Sequence, residues 1–306
     1  MAEPSLRLRL RRARRRLSFL ALRWLLRCAG FARARRLGSL FAELQFWLDR
    51  GNRLRQQQDM AAVLGRAPDD PQVAAQLRQA YRINSGAVFE IMAMMDRRQN
   101  AGMLAAHCRI EGLEELQAAL AHGRGAILLA AHMGNAALLA IRLADSGWPV
   151  SVVYREARMM SAGFFQDGLA RYGVQGILAN TGLRAYGQML GALREGRIVF
   201  VMMDQGVKKA EDGIVQRFLG KDMPMPAGPV QLARHARAPV LPVETLAADP
   251  VWRFAIRPPV ALAGSGPLEA DLARLLQLTE RQVRERPQLW SWHHRRWRKY
   301  PLAGSD

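Results

Sequence analysis

Gly123-Arg-Gly-Ala-Ile-Leu-Leu-Ala-Ala-His132-Met-Gly-Asn-Ala-Ala137 is the stretch around which the rest of the chain is arranged. Ala126 to Ala131 form an unbroken apolar run behind a Gly-Arg-Gly turn, the pattern of a strand buried on both faces in a parallel sheet. His132 ends that strand. Asn135 then stands where a helix N-cap belongs, before the small and aliphatic residues Ala136 to Ala144. In open α/β sheets ligands bind in the crevice beyond the carboxyl ends of the strands, so His132 is expected there as a general base.

The same strand and helix alternation continues on both sides. Strands are expected at 107–110, 150–155, 175–179, 198–203, 214–219, 239–246 and 253–257. Helices are expected at 112–122, 161–172, 183–195, 228–236 and 268–286. This predicts an α/β fold with a mainly parallel sheet flanked by helices. Residues 37–106 read as a helical region packed on that core, with helices near 38–58, 70–98 and 100–106, so the division is 1–36, 37–106 and 107–306.

The chain has 306 residues, half of them hydrophobic, enough for a substantial core. Its 45 Lys and Arg against 26 Asp and Glu give a net charge of +19, which calls for a polyanionic partner. Residues 1–36 hold 12 Arg and one acid, Glu3, more than half of the excess. The apolar stretch Leu17 to Ala32 carries Arg23 and Arg27 and is too short and too charged to span a bilayer, and no cleavage site closes it as a signal peptide.

At 100° per residue Arg9, Arg12, Arg16, Arg23 and Arg27 fall within about 60° of one another, leaving Leu, Phe19 and Trp24 on the rest of the wheel. That pattern predicts an amphipathic helix on an anionic membrane surface, with Arg16, Arg23, Trp24 and Arg27 as its contacts. A nucleic-acid arm explains the charge but leaves the Leu and Trp content without a role. Two cysteines, Cys28 and Cys108, without ligand spacing, exclude a disulfide framework and predict no metal site.

Several polar residues close predicted strands: Arg155, Asn180-Thr181, and Asp204-Gln205. Charge at the end of a buried strand is costly unless paired or solvated in a cleft, so these are expected to converge with His132. Phe218-Leu-Gly220 and the turn-rich Pro224 to Pro229 are expected to shape the pocket. Ile91-Met-Ala-Met-Met95 reads as core filling, and Trp290, Trp292 and Trp297 as a packing feature.

The order of these motifs resembles the bacterial lipid A biosynthesis acyltransferases, the lauroyl and myristoyl transferases of the lysophospholipid acyltransferase superfamily. Carrying the resemblance are the Gly-Arg-Gly strand with His-x-Gly-Asn, then Val-Tyr-Arg155, Arg184 opening a helix that ends Leu-Arg-Glu-Gly196, and Asp204-Gln205. Phe218-Leu-Gly220, Pro226-x-Gly-Pro229, Ala238 to Val243 and the closing Pro287 to Arg298 extend it.

The resemblance implies transfer of a fatty acyl chain from an acyl-carrier-protein or acyl-CoA thioester to a hydroxyl of a membrane lipid or glycolipid, without a further cofactor. The expected place is the cytoplasmic face of the bacterial inner membrane, peripheral or monotopic. It also implies His132 as the catalytic base, for which Asp204 or another nearby acid is expected as the support, and Gly134, Asn135, Arg155, Arg184, Gln205, Phe218 and Gly220 are expected to bind substrate. The family carries His-x4-Asp/Glu, and here the acid's position is Ala137. Three readings follow: another acid, Asp204, Glu156 or Asp167, reaches His132; the His acts unassisted; or the chain is a silent relative that binds lipid or carrier.

Overall fold

The computed structural model describes residues 6–155, 161–207, 209–294 and 296–297, with side chains from residue 13 onward except that of residue 15. Five helices come first: α1 (Leu6–Ala29), α2 (Phe31–Leu48), α3 (Arg50–Leu64), α4 (Pro71–Asp96) and α5 (Ala101–His107). The single helix expected over 38–58 is two. Asp49, with ψ of 64°, leaves the helical region, and its carboxylate accepts from the Asn52 amide at 3.4 Å to cap α3. A division after residue 36 would fall inside α2; the helices part at Gly30, at φ 76°, and Phe31 and Ala34 are already core.

α4 is the spine of this helical layer. Pro71 occupies its first turn, and the Asp70 carboxylate accepts from the Gln72 amide at 2.8 Å, a start that needs no N–H from proline. α2 crosses it at two glycines. A Cβ on Gly38 would lie 2.5 Å from the Ser85 carbonyl oxygen, so only glycine fits there, and one on Gly86 would lie tightly at 3.2 Å from the Arg35 carbonyl oxygen.

The α/β part runs β1 (Cys108–Glu111), α6 (Leu113–Leu120), β2 (Ala126–Ala130), α7 (Ala136–Asp145), β3 (Val150–Tyr154), α8 (Phe164–Ala170), β4 (Gln175–Leu178), α9 (Leu183–Arg194) and β5 (Ile198–Met202). After β6 (Ile214–Phe218) and β7 (Lys221–Met225) come α10 (Gly228–Ala236), β8 (Val240–Ala247), β9 (Trp252–Ile256) and α11 (Leu268–Glu285). Seven strands form one sheet in the order β1-β9-β8-β2-β5-β3-β4, parallel at every pair but β8 with β9. β2 is central and wholly buried, which is why its five residues carry no polar side chain.

β6 and β7 stand apart as an antiparallel hairpin. Pro224 opens the segment expected to be turn-rich, yet it pairs opposite Val215 in a two-stranded ribbon, where each strand keeps an edge that needs no donor. Among the described residues no helix is long and apolar enough to cross a membrane.

Candidate active site

Register brings the two expected catalytic side chains together. β2 and β5 pair in parallel with Ala130 opposite Met202, so continuing both strands by two residues sets His132 beside Asp204 at the carboxyl edge of the sheet. Nδ1 of His132 lies 2.6 Å from Oδ1 of Asp204. The imidazole is partly open, with 31% of its side chain exposed, whereas the carboxylate is fully buried.

A buried carboxylate must have its lone pairs satisfied. Oδ2 of Asp204 accepts from Nε1 of Trp290 at 2.8 Å and from Arg296 at 2.6 Å, and Nε of Arg296 donates to the Asp204 carbonyl at 2.8 Å. The Arg296 guanidinium also lies 3.7 Å from the centroid of the Trp290 ring. Burial alone would raise the Asp204 carboxyl, but His132, Arg296 and Trp290 together outweigh it and hold the carboxyl well below the usual carboxylate range. An ionised Asp204 accepts only, so Nδ1 carries a proton, and Nε2 is the nitrogen through which the neutral imidazole can accept one. Nε2 faces the amide nitrogen of Gln205 at 3.3 Å.

The loop that holds His132 is clamped from three sides. The closing segment reaches it through backbone bonds from Gly134 to Leu289 and from Ser291 to His132, both 2.9 Å, and Thr245 at the end of β8 donates to the Met133 carbonyl at 3.1 Å. Gly134 sits at φ +61°, and a Cβ there would fall 2.3 Å from the Trp252 ring, so glycine is needed twice over. Asn135 is buried; its Oδ1 accepts from the Leu138 amide at 3.0 Å to cap α7.

From below, α4 supplies two residues that the sequence reading missed. Asn84 donates to the Trp290 carbonyl at 3.0 Å. Glu90, wholly buried, accepts at Oε2 from Asn135 at 2.9 Å and from Nε1 of Trp252 at 2.6 Å, while Arg35 of α2 lies 3.8 Å from its other oxygen. Burial raises the Glu90 carboxyl, and Arg35, Asn135 and Trp252 oppose the rise without cancelling it. A glutamate inside the apolar run Ala87 to Met95 was the available signal, since buried acids are rare unless they hold something in place.

The other expected residues scatter. Gln205 joins the dyad. Arg155, exposed, ends β3 on the same edge of the sheet, one strand beyond Asp204, and Arg184, also exposed, opens α9 just past β4. Gly134 and Asn135 shape the loop, and Asn135, fully buried and with both ends of its amide engaged, is corrected from a substrate contact to a cap. Phe218 is corrected as well, whereas Gly220 is exposed. Phe218 is fully buried, and the turn that carries Gly220 docks through the Leu219 amide on Glu280 of α11. Asp167 lies with Arg23, Asp96 and Arg171 rather than with His132; Glu156 lies outside the described residues.

The amino-terminal contacts divide too. Arg23 and Arg27 of α1 turn inward onto Asp96 at the end of α4, with Nε of Arg23 2.8 Å and Nε of Arg27 2.5 Å from its carboxylate. Both tie α1 to the body; Arg23 is corrected from a lipid contact, whereas the Arg27 side chain remains 51% exposed. Arg16 is exposed, and Trp24 is 69% exposed beside Leu17 and Leu20, all three on one side of α1.

A model of the family described as bacterial lipid A biosynthesis acyltransferase matches residues 6–299, nearly the whole chain. The chain belongs to this family. Its dyad, fed by adjacent parallel strands and locked by the closing Trp290 and Arg296, thus sits in a member of the lipid A biosynthesis acyltransferase family. The chain is also similar to the phosphatidylinositol mannoside acyltransferase of Mycobacterium tuberculosis. Identity is 27% over 244 residues for strain CDC 1551 / Oshkosh and 26% for strain ATCC 25618 / H37Rv, in each case covering 78% of this chain and 75% of the relative. In this acyltransferase Ala137 lies in the first turn of α7, and the carboxylate against His132 comes from the end of the neighbouring strand.

Proposed function

We propose that this acyltransferase moves a fatty acyl chain from an acyl-carrier-protein or coenzyme A thioester to a hydroxyl of a membrane lipid or glycolipid of the lipid A type. The observation that carries the reading is the 2.6 Å contact between Nδ1 of His132 and the buried, ionised Asp204. Nε2 takes the proton of the acceptor hydroxyl as its oxygen attacks the thioester carbonyl. The tetrahedral intermediate then collapses, the C–S bond breaks, and the thiolate takes the proton from the imidazolium. Asp204 stabilises the imidazolium between these steps and fixes its tautomer.

Arg155 and Arg184, both exposed beyond the ends of β3 and β4, are the groups we assign to anionic parts of the substrates, the phosphopantetheine of the donor or a phosphorylated acceptor. Work at the cytoplasmic face of the inner membrane as a peripheral protein agrees with the exposed Leu17, Leu20 and Trp24 of α1. The reaction requires no cofactor beyond the thioester. A carboxylate in place against His132 favours this enzyme over the silent relative, and the exposed apolar side of α1 favours a membrane over nucleic acid.

The test is acyl transfer by purified protein in detergent from each labelled thioester to a bacterial lipid extract. Wild type transfers and His132→Ala does not. Retained lipid binding with no transfer from either donor assigns the chain to the silent relatives instead.

A further inference from the structure

Away from the dyad, the glycine crossing of α2 and α4 opens a groove of about 680 Å³ between the two helices. Arg35, Arg36 and Ser39 line one wall, Arg78 and Arg82 the other, and Leu40 stands at the rim. Three carboxylates answer the four guanidinium groups, one of them the buried Glu90 behind Arg35. Glu43 is shared by Arg78 at 2.9 Å and Arg82 at 3.5 Å, and Asp249, largely exposed, reaches Arg35 at 3.3 Å. The groove therefore keeps a positive surplus, with Arg36, Arg78 and Arg82 open to solvent.

Its surroundings identify what the surplus meets. The next residues along the outer side of α2 are apolar and exposed: Leu40, Phe41, Leu44 and Trp47, from 51% to 68%. At 100° per residue Arg36, Leu40, Leu44 and Trp47 fall within about 80° of one another. An exposed patch of this kind beside a basic groove marks an interaction surface rather than scattered surface apolarity. A partner that covers both halves must carry an anionic head and hydrocarbon side by side. The acidic surface of a carrier protein would satisfy the arginines and leave Phe41, Leu44 and Trp47 in water.

We infer that the α2–α4 groove binds the phosphate-bearing headgroup of an anionic membrane lipid while Leu40, Phe41, Leu44 and Trp47 enter the acyl boundary of the leaflet. The groove lies on the reacting side of the sheet. Arg35 donates to the Ala248 carbonyl in the turn after β8, and Ile83, at the groove's wall, precedes the Asn84 that holds Trp290. A headgroup held there sets the carboxyl edge of the sheet, with His132, against the membrane plane. The inference rests on the lipid-acceptor reading, but it is measured without turnover. Groove-dependent binding with no transfer would sink that reading alone, and transfer without groove-dependent binding would sink this one alone.

The experiment is co-sedimentation of the full chain with phosphatidylcholine vesicles with and without phosphatidylglycerol, at one ionic strength. Arg36→Gln/Arg82→Gln is compared with Arg109→Gln/Arg124→Gln, which removes the same charge from exposed positions outside the groove. A basic residue near an anionic surface contributes enough that losing two lowers partition about tenfold or more. The groove pair is expected to lose that much on phosphatidylglycerol vesicles with an unchanged melting temperature, and the control pair less than about threefold. Equal losses for both pairs, or none for the groove pair, overturn the inference. So does a groove pair that binds vesicles as wild type but requires more acyl-carrier thioester to saturate, which would make the groove a carrier dock.

Discussion

At the residue scale the dyad depends on groups that never meet substrate. Glu90 accepts from Asn135 and Trp252, one of which caps α7 behind His132 and the other of which packs under Gly134. Truncating it strands two buried donors, at a cost of about 2–4 kcal/mol, whereas glutamine keeps an acceptor. We therefore expect Glu90→Ala to lower unfolding stability by that amount in denaturant titration and Glu90→Gln to recover at least half. Asp59 of α3 offers a test in pH. Burial, opposed by Arg55 and Arg296, pushes its carboxyl up to about 6. A carboxyl raised in the folded state favours folding below its unfolded value near 3.9 and loses that contribution as pH rises through about 6. Asp59→Asn removes the dependence, so its stability relative to wild type should climb between pH 4 and about 6.5 and then level off, read by thermal melting across buffers. Sequence reasoning reached His132 and Asp204 because both end apolar strands. It missed Glu90 because partners 45 and 162 residues away leave no local trace beyond one acid in an apolar run.

At the scale of elements, the strand and helix alternation was legible from periodicity and placed the site at the carboxyl edge of the sheet. Two elements were not. β7 carries Pro224, which locally argues against a strand, and only its pairing opposite Val215 restores one. On α1 the wheel separates arginine from apolar residues but cannot say which apolar arc meets the body. Phe19 and Leu26 are buried, Leu17 and Trp24 are exposed, and the arginines between them divide, Arg23 and Arg27 being held by Asp96. Burial works to raise the Asp96 carboxyl, but Arg27 and Arg23 hold it below its ordinary range. Asp96→Ala removes the anion that ties α1 down. Limited trypsin digestion should then cleave within 6–29 several times faster than in wild type, while the α/β part is cut at the wild-type rate; unchanged cleavage would mean that Phe19 and Leu26 hold the helix unaided.

For the molecule as a whole, the +19 charge was readable at once, but its arrangement was not. Among the described side chains, the arginines of α1 and α2 divide between ion pairs on the body, the α2–α4 groove and the exposed surface, because folding sets α1, α2 and α4 side by side. The helical layer and the sheet meet at the closing segment, where Asn84 of α4 holds Trp290 and Trp290 holds Asp204. Their common product is a carboxylate that is buried, ionised and aimed at one nitrogen of His132. The most direct measurement is the kcat of Asp204→Asn in the acyl-transfer assay, with folding checked by circular dichroism. We predict a loss of about 10³-fold or more at nearly unchanged KM for the thioester, since asparagine fills the space but no longer stabilises the imidazolium. A folded Asp204→Asn protein that transfers at the wild-type rate would contradict the dyad.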